Sequence, residues 1–334
     1  MSLQDAKAVV RAFHAAIDAA APQDAAAIMS THCSADLHWR GYAPFYEIMS
    51  AQEVGTRFWQ PLKSSFTRLH HRLDIFIAGE NRVKDGTGIW VATMGHLMGL
   101  HDASWLGIQP TRKIAMLRFS AFHRVEEGKI AETAMYFDIP HLMMQAGLTP
   151  FPPMTGAQLV QPGPATHDGL VFDPQDPAES EKTLAAINSM IGDLKIWQKD
   201  EPITDELARS WVKDMIWWGP TGIGATFTIP RYAEQHAGPF RAAFKNRRFN
   251  GHIAKIAEGN YGGFFGWPNL SLEHHGGFMG MPATGQWADM RVIDMYRREG
   301  DKLAENWIFI DLLHFWKQQG VDILERTTGI ATGD

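Results

Sequence analysis

The chain is short of cysteine: among 334 residues only Cys33 carries a thiol. A lone cysteine makes no intrachain disulfide and no cysteine-based zinc site. That points to a reducing, cytoplasmic setting. Positive charge is also short, with 31 Lys and Arg against 37 Asp and Glu, a net charge of −6. A general nucleic-acid binder needs a basic surface, so that class is disfavoured. No run of about twenty apolar residues occurs, so no membrane helix is expected. The N-terminal stretch carries Asp5, Lys7 and Asp18 and lacks a basic n-region, so it does not read as a signal peptide. No glycine-rich loop joins a strand to a helix, which leaves nucleotide binding without support. The chain has 15 His, but His70-His71, His274-His275 and the pair His96 and His101 lack the spacing of a ligand motif. No metal is expected.

What the chain has in quantity is large apolar side chains: 12 Trp, 19 Phe and 16 Met. Such residues fill a core or line an apolar cavity. The second feature is an internal repeat. Glu132, Asp138, His141, Gln145 and Gly147 recur as Glu305, Asp311, His314, Gln318 and Gly320, at an offset of 173 residues. The same offset pairs His101 with His274, Gly107 with Gly280 and Arg118 with Arg291. Upstream the offset becomes 178 and pairs Trp39 with Trp217, Gly41 with Gly219 and Pro61 with Pro239. A five-residue difference in a loop accounts for the change, since loops tolerate insertion.

Between the copies, Thr149 to Pro177 holds seven prolines, which fix φ and remove backbone donors. The expected organisation is a first domain over 1–150, a linker over 151–176 and a second domain over 177–330. Val10, Phe13 and Ile17 fall at helical spacing, as do Leu184, Ile187, Ile191 and Leu194. Shorter helices are expected near Asp24–Ser30 and Asp205–Asp214, and again near Ala51–Phe66 and Pro230–Phe244. Then the pattern turns to strands. Ile114–Arg124 and Lys129–Ile139 read as a hairpin, as do Ala288–Arg297 and Lys302–Leu312. A last helix closes each copy before Gly147 or Gly320. Each copy therefore reads as α+β, with helices first and then a curved antiparallel sheet. Both faces of the last strand are largely apolar, so both should be covered. One face is expected to look into a cavity beneath the helices. The other is expected to pack on the sister sheet as an internal pseudo-dimer.

The segment His274-His275-Gly276-Gly277-Phe278-Met279-Gly280-Met281-Pro282-Ala283-Thr284-Gly285, followed by a strand and by Glu305-Asn306-Trp307 with Asp311, resembles the SnoaL-like polyketide cyclase family. The first copy is a weaker match, with Arg112 in place of Gly285 and Ala134 in place of Trp307. The resemblance implies two tandem cone-shaped domains of the nuclear transport factor 2 (NTF2)-like fold. It implies an intramolecular aldol closure of a polyketide ester, with the strand aspartate as general acid/base and no metal or organic cofactor. Carried over, it implies Asp311 and, by the repeat, Asp138 as catalytic. A carboxylate beside Trp307 and Phe309, or beside Tyr136, is hard to solvate, and its pKa should rise towards the useful range. His274 and His101 are candidate donors to an enolate, and Arg291 and Arg118 candidate stabilisers of the oxyanion. Trp217 and Trp39 are candidate cavity walls.

Each candidate also has a structural reading. The aspartates could cap helices. The histidines could brace turns, the arginines could pair with Glu132 and Glu305, and the tryptophans could be core. The functional reading is a cofactor-independent enzyme on a small hydrophobic carbonyl compound, polyketide or ester cyclase-like. A small-molecule binding protein and a scaffold stay open beside it, as does further pairing of chains.

Overall fold

A computed structural model of the protein describes residues 1–196 and 201–332. Helix α1 (Leu3–Ala19) opens on a capping box in which Ser2 and Asp5 satisfy each other's amides, and it buries Val10, Phe13 and Ile17. Helix α2 (Ala25–His32) follows, then strands β1 (Cys33–Gly41) and β2 (Tyr46–Ile48). A broken helix comes next: α3 (Ala51–Val54), a π turn (Gly55–Trp59) and α4 (Gln60–Ser65). Strands β3 (Phe66–Glu80), β4 (Ile89–His101), β5 (Ile114–Glu126) and β6 (Lys129–Phe137) then run to helix α5 (Ile139–Gln145).

The second half repeats this order. It contains α6 (Pro177–Ile196), α7 (Ile203–Ser210), β7 (Trp211–Trp218), β8 (Thr226–Phe227), α8 (Ile229–Tyr232), a π turn (Ala233–Ala237) and α9 (Gly238–Ala243). Then come β9 (Phe244–Phe249), β10 (Ala254–Glu258), β11 (Tyr261–His274), β12 (Trp287–Glu299), β13 (Lys302–Ile310), α10 (Leu312–Gln318) and α11 (Ile323–Thr332). Asp176 accepts from the Ala178 amide at 2.9 Å at the start of α6, as its place before Pro177 predicts. Each π turn lies just before a proline, Pro61 or Pro239. A proline cannot donate to the carbonyl four residues back, so the helical ladder widens there. In the second half that freed carbonyl, Gln235 O, accepts from the Thr155 hydroxyl at 2.6 Å.

The first sheet runs β2-β1-β6-β5-β4-β3. The second runs β10-β11-β12-β13-β7-β8, with β9 also on β11. The expectation of a wholly antiparallel sheet after the helices is corrected on two counts. Strands β1 and β7 interrupt the helices, and each joins the sheet parallel to the last strand, β6 or β13. The helix expected over Asp205–Asp214 stops at Ser210, where the β-branched and aromatic run of β7 begins.

The two sheets meet face to face. Phe265 lies 5.4 Å from both Trp90 and Phe122, and the Tyr136 hydroxyl donates to Gly266 O at 3.1 Å. At another edge Lys7 of α1 forms a buried 2.5 Å ion pair with Glu258 of β10, whose second oxygen accepts from the Ala78 amide at 2.7 Å. The proline-rich segment has no helix, but it is held along its length. Gln161 donates to Gly219 O at 2.5 Å, Trp307 donates to Pro162 O at 3.0 Å, and Phe76 donates to Gly169 O at 2.8 Å. It is a strap across both halves. Among the described residues no helix is long and apolar enough to cross a membrane.

Candidate functional site

Side chains alternate across a strand, so β12 sends Met290, Val292, Asp294 and Tyr296 to one face and Arg291, Ile293 and Met295 to the other. The first set, with Asn306, Ile308 and Ile310 of β13 and Trp217 of β7, lines a cavity of about 230 Å³. Helix α6 and the π turn roof it with Met190 and His236. The His236 ring stacks on Trp217 at 4.0 Å, and His252 stacks on Phe264 at 4.0 Å. Burial pushes both imidazoles down to about 3, so both are neutral at pH 7. Among the described residues His236 Nδ1 and His252 Nε2 have no hydrogen-bond partner.

Asp294 is the carboxyl group in this cavity, and it is buried. Asn306 Nδ2 donates to its Oδ1 at 3.0 Å, and Tyr296 also hydrogen-bonds it. Burial pushes the Asp294 carboxyl up to about 7, against the opposing pull of those two hydrogen bonds and of Arg118. A carboxyl group poised near neutral pH in an apolar cavity can take a proton and return it. The Tyr232 hydroxyl of α8 lines the same cavity, is held above its ordinary pKa by burial and stays a donor.

The first half keeps the frame and fills the space. Ala121 pairs with Met135 as Asp294 pairs with Ile308, so Ala121 stands at the position of the acid. Phe119, Phe137 and Phe58 stand at the positions of Val292, Ile310 and His236 under the repeat offsets. Phe58 packs on Phe137 at 5.0 Å and on Trp39 at 5.3 Å, while His71 stacks on His14 at 4.1 Å. Larger rings therefore occupy what is open in the second half.

The model of the SnoaL-like polyketide cyclase family matches residues 269–319. That segment runs from the end of β11 through β12 and β13 to the end of α10, and it contains Asp294. The match lies wholly within the second half. Each half combines helices with one mixed sheet. Similar solved structures include AclR from Streptomyces galilaeus, 21% identical over 44% of this chain and 98% of its own, with a TM-score of 0.36. IdmH from Streptomyces antibioticus is 18% identical over 42% and 98%, with a TM-score of 0.31. An NTF2-like protein from Burkholderia thailandensis is 20% identical over 45% and 100%, with a TM-score of 0.32. No curated protein matches the chain.

Of the candidate site residues singled out in the sequence, the structure brings only Trp217 to the second-half cavity. Asp311 and Asp138 lie between the halves. Asp311 Oδ1 caps α10 through the His314 amide at 3.1 Å, and its Oδ2 accepts from Ala43 N of the first half at 3.1 Å. Asp138 Oδ1 caps α5 through the His141 amide at 3.1 Å, and its Oδ2 accepts from Thr221 N of the second half at 2.9 Å. Burial pushes Asp311 up to about 7, as it does Asp294. Geometry separates the two: both oxygens of Asp311 are held by backbone amides in a closed interface, whereas Asp294 faces an open space.

The other candidates follow the same division. Tyr136 and Phe309 lie in the interface, the latter under the Arg118 guanidinium at 3.9 Å. Trp307 faces the strap. Arg291 lies over the Trp267 ring at 3.6 Å and reaches Asp311 only at 4.0 Å. Glu132 pairs with Arg40 and Arg124, and Glu305 with Arg297, so neither takes Arg118 or Arg291 as a partner. His101 stacks on Phe66 at 4.6 Å, and His274 lies edge-on to Trp316 at 5.5 Å, each at the last residue of its strand. Trp39 is core of the first half.

Asp294, Tyr296, His236 and Tyr232 were not singled out. A signal for Asp294 was present: it is the one acid in the alternate set Met290, Val292, Asp294, Tyr296 of a strand expected to be half of a hairpin.

Proposed function

We propose that the SnoaL-like half is a general acid/base catalyst for a hydrophobic carbonyl compound, with Asp294 as the group that moves the proton. The observation that carries this reading is a carboxyl group raised to about 7, held by Asn306 and Tyr296, on the wall of an aromatic cavity. The ionised carboxylate takes a proton from carbon beside a carbonyl. The electron pair moves to the carbonyl oxygen, and the neutral His236 and the Tyr232 hydroxyl are the nearby donors for the enolate that forms. In a polyketide-type chain the enolate carbon then attacks a second carbonyl and closes a ring. Asp294 returns its proton to the new alkoxide, so the carboxylate is restored and no further reactant is needed. The two halves, 1–150 and 177–330, act in this reading as an internal pseudo-dimer with one working cavity.

The test is turnover of linear β-dicarbonyl esters by the full chain and by Asp294→Asn, with products read by mass spectrometry. Loss of at least about 100-fold in Asp294→Asn, with the fold intact, supports the reading. A binding protein without turnover is the other outcome: ligands quench the fluorescence of Trp211 and Trp217, no product appears, and Asp294→Asn changes affinity alone.

A further inference from the structure

Arg118 belongs to β5 of the first half, yet its side chain ends in the second. Its Nη1 donates to Ile308 O at 3.0 Å and its Nη2 to Trp218 O at 3.0 Å. Both carbonyls lie where the parallel β7–β13 ladder runs out, since the last paired residues are Trp307 and Trp218. The planar fork of a guanidinium suits two carbonyls side by side in a way an ammonium does not. Ile308 is also the residue directly opposite Asp294 across the β12–β13 ladder. The strand ends that Arg118 joins carry Trp217, Asn306 and Ile308 on their cavity side.

The matched residue does something else. Arg291 stays over Trp267, and its Nε and Nη1 have no hydrogen-bond partner among the described residues. The repeat therefore keeps an arginine at both positions and uses the two differently. Only the arginine beside the acid-bearing cavity is clamped on strand ends.

We propose that Arg118 is a positioning residue for the carboxyl site of the other half: it clamps the open ends of β7 and β13 and sets a buried positive charge behind Asp294. This rests on Asp294 being the acting group. The charge is confined, with Arg118 only 2% exposed and its cationic face on the Phe309 ring. Burial lowers its pKa to about 9, while Asp138 and Asp294 pull it back up, so it is still charged at neutral pH. Tyr296 of its own strand, Asn306 of β13, Tyr232 of α8 and Arg118 of β5 act on Asp294, and Lys195, Arg241, Arg247, His236 and His252 line the same cavity. Arg118 is the cation whose charge bears on the Asp294 carboxyl, and it comes from a half with no acid of its own at this position.

The experiment titrates Asp294 directly in the full chain, by carboxyl-carbon NMR assigned with Asp294→Asn, so it needs no turnover. Arg118→Met removes charge and clamp. Arg118→Gln removes the charge but keeps an amide donor, so it stays informative where the methionine variant does not fold. Either neutral variant is expected to raise the Asp294 midpoint by about one pH unit, tenfold in proton affinity. Arg118→Lys is expected to bring it back towards the parent value. A midpoint unmoved in a folded neutral variant overturns the proposal. Asp294→Asn that keeps full turnover overturns the assignment of Asp294 and leaves the measured coupling to Arg118 standing.

Discussion

Asp311 Oδ2 lies 3.1 Å from the amide nitrogen of Ala43, across the interface between the two halves. Its repeat mate Asp138 makes the same contact with Thr221 in the opposite direction at 2.9 Å. Under the 178-residue offset Ala43 and Thr221 are themselves mates. Two carboxyl groups thus cap a helix with one oxygen and join the halves with the other.

Asp311→Asn is expected to lower stability and not the rate per folded molecule. The new amide keeps one acceptor and turns an NH2 towards one of two buried backbone donors. That costs about 1–3 kcal/mol. Asp138→Asn should behave alike. Urea unfolding followed by tryptophan fluorescence checks both, and a large loss of turnover at unchanged stability would contradict them.

The pH dependence of kcat/KM is expected to report Asp294. Burial raises this group from 3.8 to about 7, and a base works in its ionised form. The rate should therefore climb as pH rises through about 7 and level above it. A rate that falls over that interval would assign Asp294 the acid role first.

Much of this frame was legible before the structure. The repeat, the strap, the hairpins and the closing helices all follow from spacing, proline and glycine. The idea that the last strand has one face to a cavity and one to the sister sheet follows from both of its faces being largely apolar. What the sequence did not say is which face is which. Asp311 and Trp307 share one face, and Asn306 and Ile308 share the other. A two-residue period marks two sets without saying which set is inside. The motif drew attention to the set that turned out to be the interface. The parallel pairing of β1 and β7 was hidden because their partners lie about ninety residues away in sequence, beyond any local pattern.

Acid is expected to destabilise the first half. Burial holds His14 well below 6.5 and His123 at about 3, while both return to about 6.5 when the chain unfolds. Between those values the unfolded chain binds more protons, so stability falls as pH drops below about 6.5. His14 Nδ1 has no partner among the described residues, so His14→Phe breaks no bond there. It should flatten the acid limb of stability by up to about 1.4 kcal/mol per pH unit, read from urea midpoints between pH 4 and 6.

Lys7→Met should be costly at high pH. It leaves Glu258 buried with only the Ala78 amide as partner. An unpaired buried charge of this kind costs about 3–5 kcal/mol. Burial already raises the Glu258 carboxyl above 4.5, so protonation in mild acid should recover part of the loss. Thermal melts at pH 5 and pH 8 make the comparison.

The contrast between Ala121 and Asp294 depends on both halves being one chain. In an assembly of two identical chains every substitution appears twice, so a ring that plugs one cavity plugs both. Here a gene can lose the acid on one side, pack the space with Phe58, Phe119 and Phe137, and keep the other side open. Mutations in the filled half are then screened for how well it buttresses its neighbour, and those in the open half for what the cavity accepts. Covalent fusion turns a symmetric pair into two separately adjustable parts.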